Sequence, residues 1–226
     1  MLPLSLGRRA AAEALGTSLL LTAIVGSGIM GQRLASGNVG IALLANTLAT
    51  SAVLVALILA LAPLSGAHFN PLVTVLVRLR GEVSAASLPA YVAAQLVGAF
   101  VGVAVAHVMF GESLFAWSRH VRTGSGQAVA EGVATFGLLL VVGLCGRLRP
   151  PSAALAVGAY IASAYWFTSS TSFANPVVTL ARATTDTFAG IRPADVPLFL
   201  LGQVFGGGAA VATLHWLAIP SGMQTP

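Results

Sequence analysis

Asn70-Pro71-Leu72-Val73-Thr74 and Asn175-Pro176-Val177-Val178-Thr179 repeat one pattern in the two halves of the chain. Asn at a cap followed by Pro at the first helical position is a helix start, because the Asn side chain accepts from an unpaired backbone N–H and Pro lacks the one it would waste. Each pair opens an apolar run of only about ten residues, too short for a bilayer crossing that takes about 20. The pattern therefore predicts two half-helices. Irregular backbone at membrane depth is stable only where it lines a water-filled space or is buried in protein, so the half-helices mark a pore or a site.

The composition surrounds these segments with membrane. Hydrophobic residues make up 57% of the chain and charged residues 8%, with a mean hydropathy of +0.90, against roughly 25% charged residues in soluble domains. Six runs are apolar enough to cross: Ala10 to Met30, Asn38 to Leu61, Leu88 to Phe110, Ala128 to Leu144, Ala153 to Ser169 and Ala194 to Leu217. The first reads as a retained span and not as a cleaved signal, since more spans follow at once. The net charge of +5 comes from arginines near span ends, an arrangement that does not suit nucleic acid. Cys145 is the only cysteine and reads as a small buried hydrophobe. A cytoplasmic N-terminus places six arginines on that side and five on the other, a small positive-inside excess.

The duplication extends beyond the Asn-Pro pairs. Glu13-x-x-x-Thr17 in the first span recurs as Glu131-x-x-x-Thr135 in the fourth. Gln95, Gly98 and His107 recur at the same spacing as Gln203, Gly206 and His215. A single membrane domain over 1–226 is expected, with repeat one at about 10–110 and repeat two at about 128–217. Three spans per copy is an odd number, so the second copy enters from the opposite face and the repeat is inverted. Glu13 and Glu131 sit in apolar helices, where a carboxylate needs partners. They read as struts for the loops before the Asn-Pro pairs or as members of a proton relay, and the strut suits the sequence better. Gln95 and Gln203 read as interhelix hydrogen-bonders beside the close crossings at Gly98 and Gly206. His68 reads as a loop histidine bonded to nearby backbone, His107 and His215 as interfacial anchors, and Asn46 as a vestibule residue or a helix tie.

Ser65-Gly66-Ala67-His68-Phe69-Asn70-Pro71, the second Asn-Pro pair and the repeated Glu-x-x-x-Thr resemble the major intrinsic proteins, the aquaporins and aquaglyceroporins. The resemblance implies an all-α membrane protein with six transmembrane helices, two re-entrant half-helices, one pore per protomer and a homotetramer in lipid. It implies passive passage of water and small neutral solutes, no enzymatic activity and no cofactor or metal. A bacterial inner membrane with cytoplasmic termini is expected. The chain departs from the family pattern where the third box residue, usually Ala, is Leu72 or Val177, and where the Arg after the second box is Val178. By the family's spacing the other constriction positions fall on Thr50, Ser163 and Ser172. All four are small and uncharged, so a wide constriction lacking the usual Arg is expected. Arg182, one turn beyond Val178, is the alternative cation, although it lies about 6 Å further along the helix.

The constriction also resembles bacterial members associated with arsenic resistance, which adds arsenite to glycerol-like polyols as a candidate solute. An inverted-repeat secondary transporter is the competing reading. It would need an ionisable coupling site near the midplane, where the sequence offers only the two Glu already read as struts.

Overall fold

Three asparagines start helices by the same local chemistry. In the computed structural model, which describes residues 3–217, Asn38, Asn70 and Asn175 are extended in backbone and accept through Oδ1 from Ile41, Leu72 and Val177 N–H at 3.1, 2.9 and 3.2 Å. The elements are α1 (Leu6–Leu34), α2 (Val39–Ser65), α3 (Pro71–Leu79), α4 (Ser87–Phe110), α5 (Ser125–Leu148), α6 (Ala153–Phe167), α7 (Pro176–Arg182) and α8 (Val196–Trp216). Short 3-10 turns at Pro150–Ser152 and Pro193–Asp195 lead into α6 and α8. The expected domain bounds of 1–226 run past the described residues at both ends.

Helices α1, α2, α4, α5 and α8 are long and apolar enough to cross a bilayer. The fifth expected span ends two residues early, at Phe167, which leaves α6 with 15 residues. The half-helices α3 and α7 have 9 and 7 residues, or about 13 and 10 Å of rise. They meet N-terminus to N-terminus. Asn70 Nδ2 donates to the Ala174 carbonyl and Asn175 Nδ2 donates to the Phe69 carbonyl, each at 2.8 Å. The described residues form an all-α architecture in which two half-helices meet between the longer helices.

The two copies build matching interfaces: α1 packs on α4, and α5 packs on α8. A Cβ on Gly98 would run into the Ala14 carbonyl, and one on Gly206 into the Gly132 carbonyl. These carbonyls belong to helix backbone and cannot swing aside as a side chain could. Gly98→Val and Gly206→Val must therefore part a helix pair, at a cost of about 1 to 3 kcal/mol or more each. Thermal unfolding in detergent should show a clear loss for both, while Gly208→Val, with nothing within 4 Å of the added carbon, should stay near the parent.

Several sequence expectations change once the helices are packed. His107 is 1% exposed and its Nε2 lies 2.8 Å from Thr185 Oγ1, so it is a buried tie and not an interfacial anchor. His215 is exposed. Asn46 donates from Nδ2 to the Ile24 carbonyl at 2.8 Å and to Ser27 Oγ at 2.9 Å, which makes it a tie between α2 and α1. Cys145 is half-buried.

Candidate functional site

The loops ahead of the half-helices share an unusual backbone. Ala67 and Phe69 in the first loop, and Thr171, Ser172 and Ala174 in the second, have φ between 49° and 59°, with Gly66 at 94°. Left-handed backbone at a residue with a Cβ costs on the order of 1 to 3 kcal/mol and persists only where surroundings enforce it. The enforcement comes from the two buried glutamates. Glu13 accepts from Ser65 Oγ at 2.6 Å, His68 N at 2.9 Å, Phe69 N at 2.7 Å and Gln95 Nε2 at 2.8 Å. Glu131 accepts from Phe173 N at 2.8 Å, Ala174 N at 2.9 Å and Gln203 Nε2 at 2.6 Å. Each Gln also donates to the Thr one turn into the half-helix, Thr74 or Thr179, at 3.0 and 2.8 Å. Thr17 and Thr135 stay outside these networks; their buried hydroxyls have no partner among the described residues.

With the loop amides tied to glutamate, the loop carbonyls are left over. Among the described residues, the carbonyls of Gly66, Ala67 and His68, and those of Thr171, Ser172 and Phe173, accept no hydrogen bond from the protein, while Phe69 and Ala174 serve the two Asn side chains. Backbone carbonyls are obligatory acceptors, so water or a polar solute must complement these. A cavity of about 490 Å³ runs beside them from Arg80 and Glu82, past Asn70 and Asn175, to Val178 and Arg182. Gly66, Ala67, His68, Ser172 and Phe173 all line it. Each Asn amide spends one N–H on the opposite loop, which leaves the second as a donor in the cavity wall.

Of the expected constriction residues, Thr50, Ser172 and Val178 line this cavity and are each 3% exposed. The hydroxyls of Thr50 and Ser172 find no partner among the described residues. Ser163 does not belong with them. It is exposed on α6, and its hydroxyl returns to the Ala159 and Tyr160 carbonyls of its own helix, both at 2.9 Å. The α6 positions nearest Ser163 that line the cavity are Ile161 and Tyr165; at about 100° per residue, two residues turn a side chain to the opposite face.

The third box residues point away from the cavity. Leu72 packs against Leu139 and faces Gly207, and Val177 is 2% exposed within the core that holds Ile24 and Val25. Pro71 and Pro176 serve as the first residues of their helices. His68 lines the cavity, with Nδ1 held 3.1 Å from Thr74 Oγ1 and not by backbone.

Sequence reasoning passed over one buried cation. Arg122, in the segment between α4 and α5, is 8% exposed and pins the loops that flank α7. It donates from Nε to the Gly190 carbonyl at 2.8 Å and from its terminal amino groups to Ser170, Thr171 and Phe188. In the same segment, partial burial and then the Arg122 and Arg182 guanidiniums push the His120 imidazole below its ordinary pKa.

Known proteins are similar to this chain in fold and in sequence. The sequence profile described as "Major intrinsic protein" matches residues 3–147. An aquaglyceroporin of Rhizobium meliloti, AqpS, is 49% identical over 216 residues, covering 96% of this chain and 92% of its own length. A probable aquaporin of Archaeoglobus fulgidus, AqpM, is 28% identical over 244 residues, covering 95% and 98%. The solved aquaglyceroporin of Plasmodium falciparum superposes with a TM-score of 0.69 at 23% identity, over 93% of this chain and 96% of that one. With paired half-helices, glutamate-braced loops and a profile match over most of its length, the chain belongs to the major intrinsic protein family: an integral membrane channel, not an enzyme.

Proposed function

We propose that the cavity conducts water and small uncharged solutes by passive diffusion, with glycerol-like polyols and neutral metalloid hydroxides such as arsenite within its range. The observation that carries this reading is the pair of loops with unpaired carbonyls facing one cavity, with the Asn70 and Asn175 amide groups between them. A neutral polar solute exchanges its water for these acceptors and donors. A cation meets two helix N-termini, together about one positive charge, which at about 5 Å and an effective dielectric of 20 repel it by about 3 kcal/mol. Dehydration in a largely apolar lumen adds several kcal/mol.

Thr50, Ser172 and Val178 form the constriction in this reading, and their small size favours solutes larger than water. The glutamates and Gln95 and Gln203 brace it. The homotetramer, the bacterial inner membrane and cytoplasmic termini complete the proposal. The apolar outer faces of the helices, including Val97, Leu201 and Phe205, suit contact with lipid and with neighbouring protomers, and the arginine excess supports the orientation.

Swelling of reconstituted vesicles tests the reading. Across glycerol, a four-carbon polyol and a six-carbon polyol, uptake should fall with size while water flux stays high. Val178→Phe should lower glycerol flux at least several-fold more than water flux. Counterflow or gradient-driven accumulation of the solute would instead establish the transporter reading.

A further inference from the structure

The outer end of the cavity holds a cation with uncommitted donors. Arg182 is the last residue of α7, one turn beyond Val178. Helical side chains lean toward the N-terminus of their helix, so a long one covers the turn before its own Cα. From position 182, that is the turn that carries Val178. The side chain is 2% exposed and shares the cavity wall with Val178, Ser172 and Phe173.

Two contacts fix its place. Nε donates to the Ala189 carbonyl. The guanidinium carbon lies 3.4 Å above the centre of the Phe173 ring, which itself packs edge-on against Phe199 with ring centres 5.0 Å apart. Arg122 lies 5.0 Å from the same ring, but its Nε and both terminal amino groups are committed to loop acceptors. Among the described residues, the terminal amino groups of Arg182 have no acceptor in the protein.

Among the described residues, no carboxylate forms an ion pair with Arg182. The Glu131 oxygens are occupied by loop amides and Gln203. Asp186 pairs with Arg119, and Asp195 pairs with Arg192 and accepts from Arg122 N. The one carboxylate in the cavity lining among the described residues, Glu82, is paired with Arg80 at the other end, so the unused edge of the buried Arg182 guanidinium is both a donor array and a positive barrier.

We propose that Arg182 is the specificity-determining cation of this pore, supplied from one helical turn beyond the position where the family's Arg is replaced by Val178. This rests on the channel reading above. The solute class it favours is a small neutral molecule with an apolar side and several oxygens: oxygens accept from Arg182 while the carbon side slides over Val178. Inorganic cations are turned back at this level as well as at the two Asn.

The test uses the full-length protein in a Cys145→Ser background, which removes the only native thiol. Wild-type and Cys145→Ser vesicles are measured first for glycerol and water flux; if neither conducts glycerol, the channel reading itself has failed, whatever Arg182 does. Arg182→Cys should then raise potassium leak roughly tenfold or more as the positive charge is lost. An aminoethyl methanethiosulfonate reagent, which puts a cation back on the thiol, should reverse that leak, and the uncharged methyl reagent should not.

Equal leak after both reagents, or a thiol that does not react in vesicles that conduct glycerol, would overturn the proposal. Should Arg182→Cys not fold, Arg182→Lys and Arg182→Gln carry the same comparison. Lys should hold the low cation leak and Gln should lose it, and equal leak in the two would overturn the proposal.

Discussion

Asn70→Asp and Asn175→Asp should each convert the centre of the channel from a barrier to cations into a path for them. The fold tolerates the change locally, because Asp caps a helix as well as Asn does and its charge is favoured at a helix N-terminus. What is lost is the amide donor. The tie from Asn70 to the Ala174 carbonyl, or from Asn175 to the Phe69 carbonyl, becomes a carboxylate oxygen facing a carbonyl oxygen. A full negative charge then stands where cations met a positive field. At about 5 Å and an effective dielectric of 20 that is worth about 3 kcal/mol, or about a hundredfold in rate. Potassium flux into vesicles should rise on that scale, with water flux still measurable. An unchanged ion leak in folded protein would mean that these amides do not face the permeation path.

Glu13→Ala and Glu131→Ala should lose more stability than any surface substitution. The first leaves four donors without an acceptor: Ser65 Oγ, His68 N, Phe69 N and Gln95 Nε2. The second leaves three: Phe173 N, Ala174 N and Gln203 Nε2. A buried unpaired donor costs about 1 to 3 kcal/mol, and the left-handed residues of each loop lose the anchor that holds them there. Thermal unfolding in detergent should therefore place both Glu13→Ala and Glu131→Ala well below the parent. Glutamates acting as a proton relay would give the opposite pattern, with stability kept and a pH-dependent flux lost.

What could be read from the sequence was local or periodic. Asn-Pro announces a helix start by its own bonding needs, and the repeat of Glu, Gln and Gly positions at fixed spacing announces a second copy. The tertiary placements were harder. The family's spacing places Ser163 only if the loop before Asn175 keeps its length, and two residues are enough to turn a helix face over: Ile161 and Tyr165 line the cavity, and Ser163 does not. The burial of Arg122 depends on carbonyls at Ser170, Phe188 and Gly190, none of them near it in sequence, so nothing local separated it from arginines at the membrane surface. Arg182 was visible as a candidate, but its direction is set by Phe173 and Ala189, contacts that exist only in the folded chain. The repeat of Thr17 and Thr135 beside the glutamates marks the duplication but not a bond, since the carboxylates are occupied by the loops and the two hydroxyls have no partner among the described residues.

The crossed asparagine ties also bear on how the protein can move. Each tie runs from one repeat to the other, so the two halves are latched together at the midplane by a pair of bonds of equal length, 2.8 Å. A machine that exposes its site alternately to each side does so by rocking one repeat against the other, and such rocking would have to open both latches in every cycle. A latched pair of repeats has no such stroke to make. Solutes cross a standing passage, the gradient alone sets the direction of net flow, and throughput is limited by diffusion along the lumen and not by the frequency of a conformational cycle.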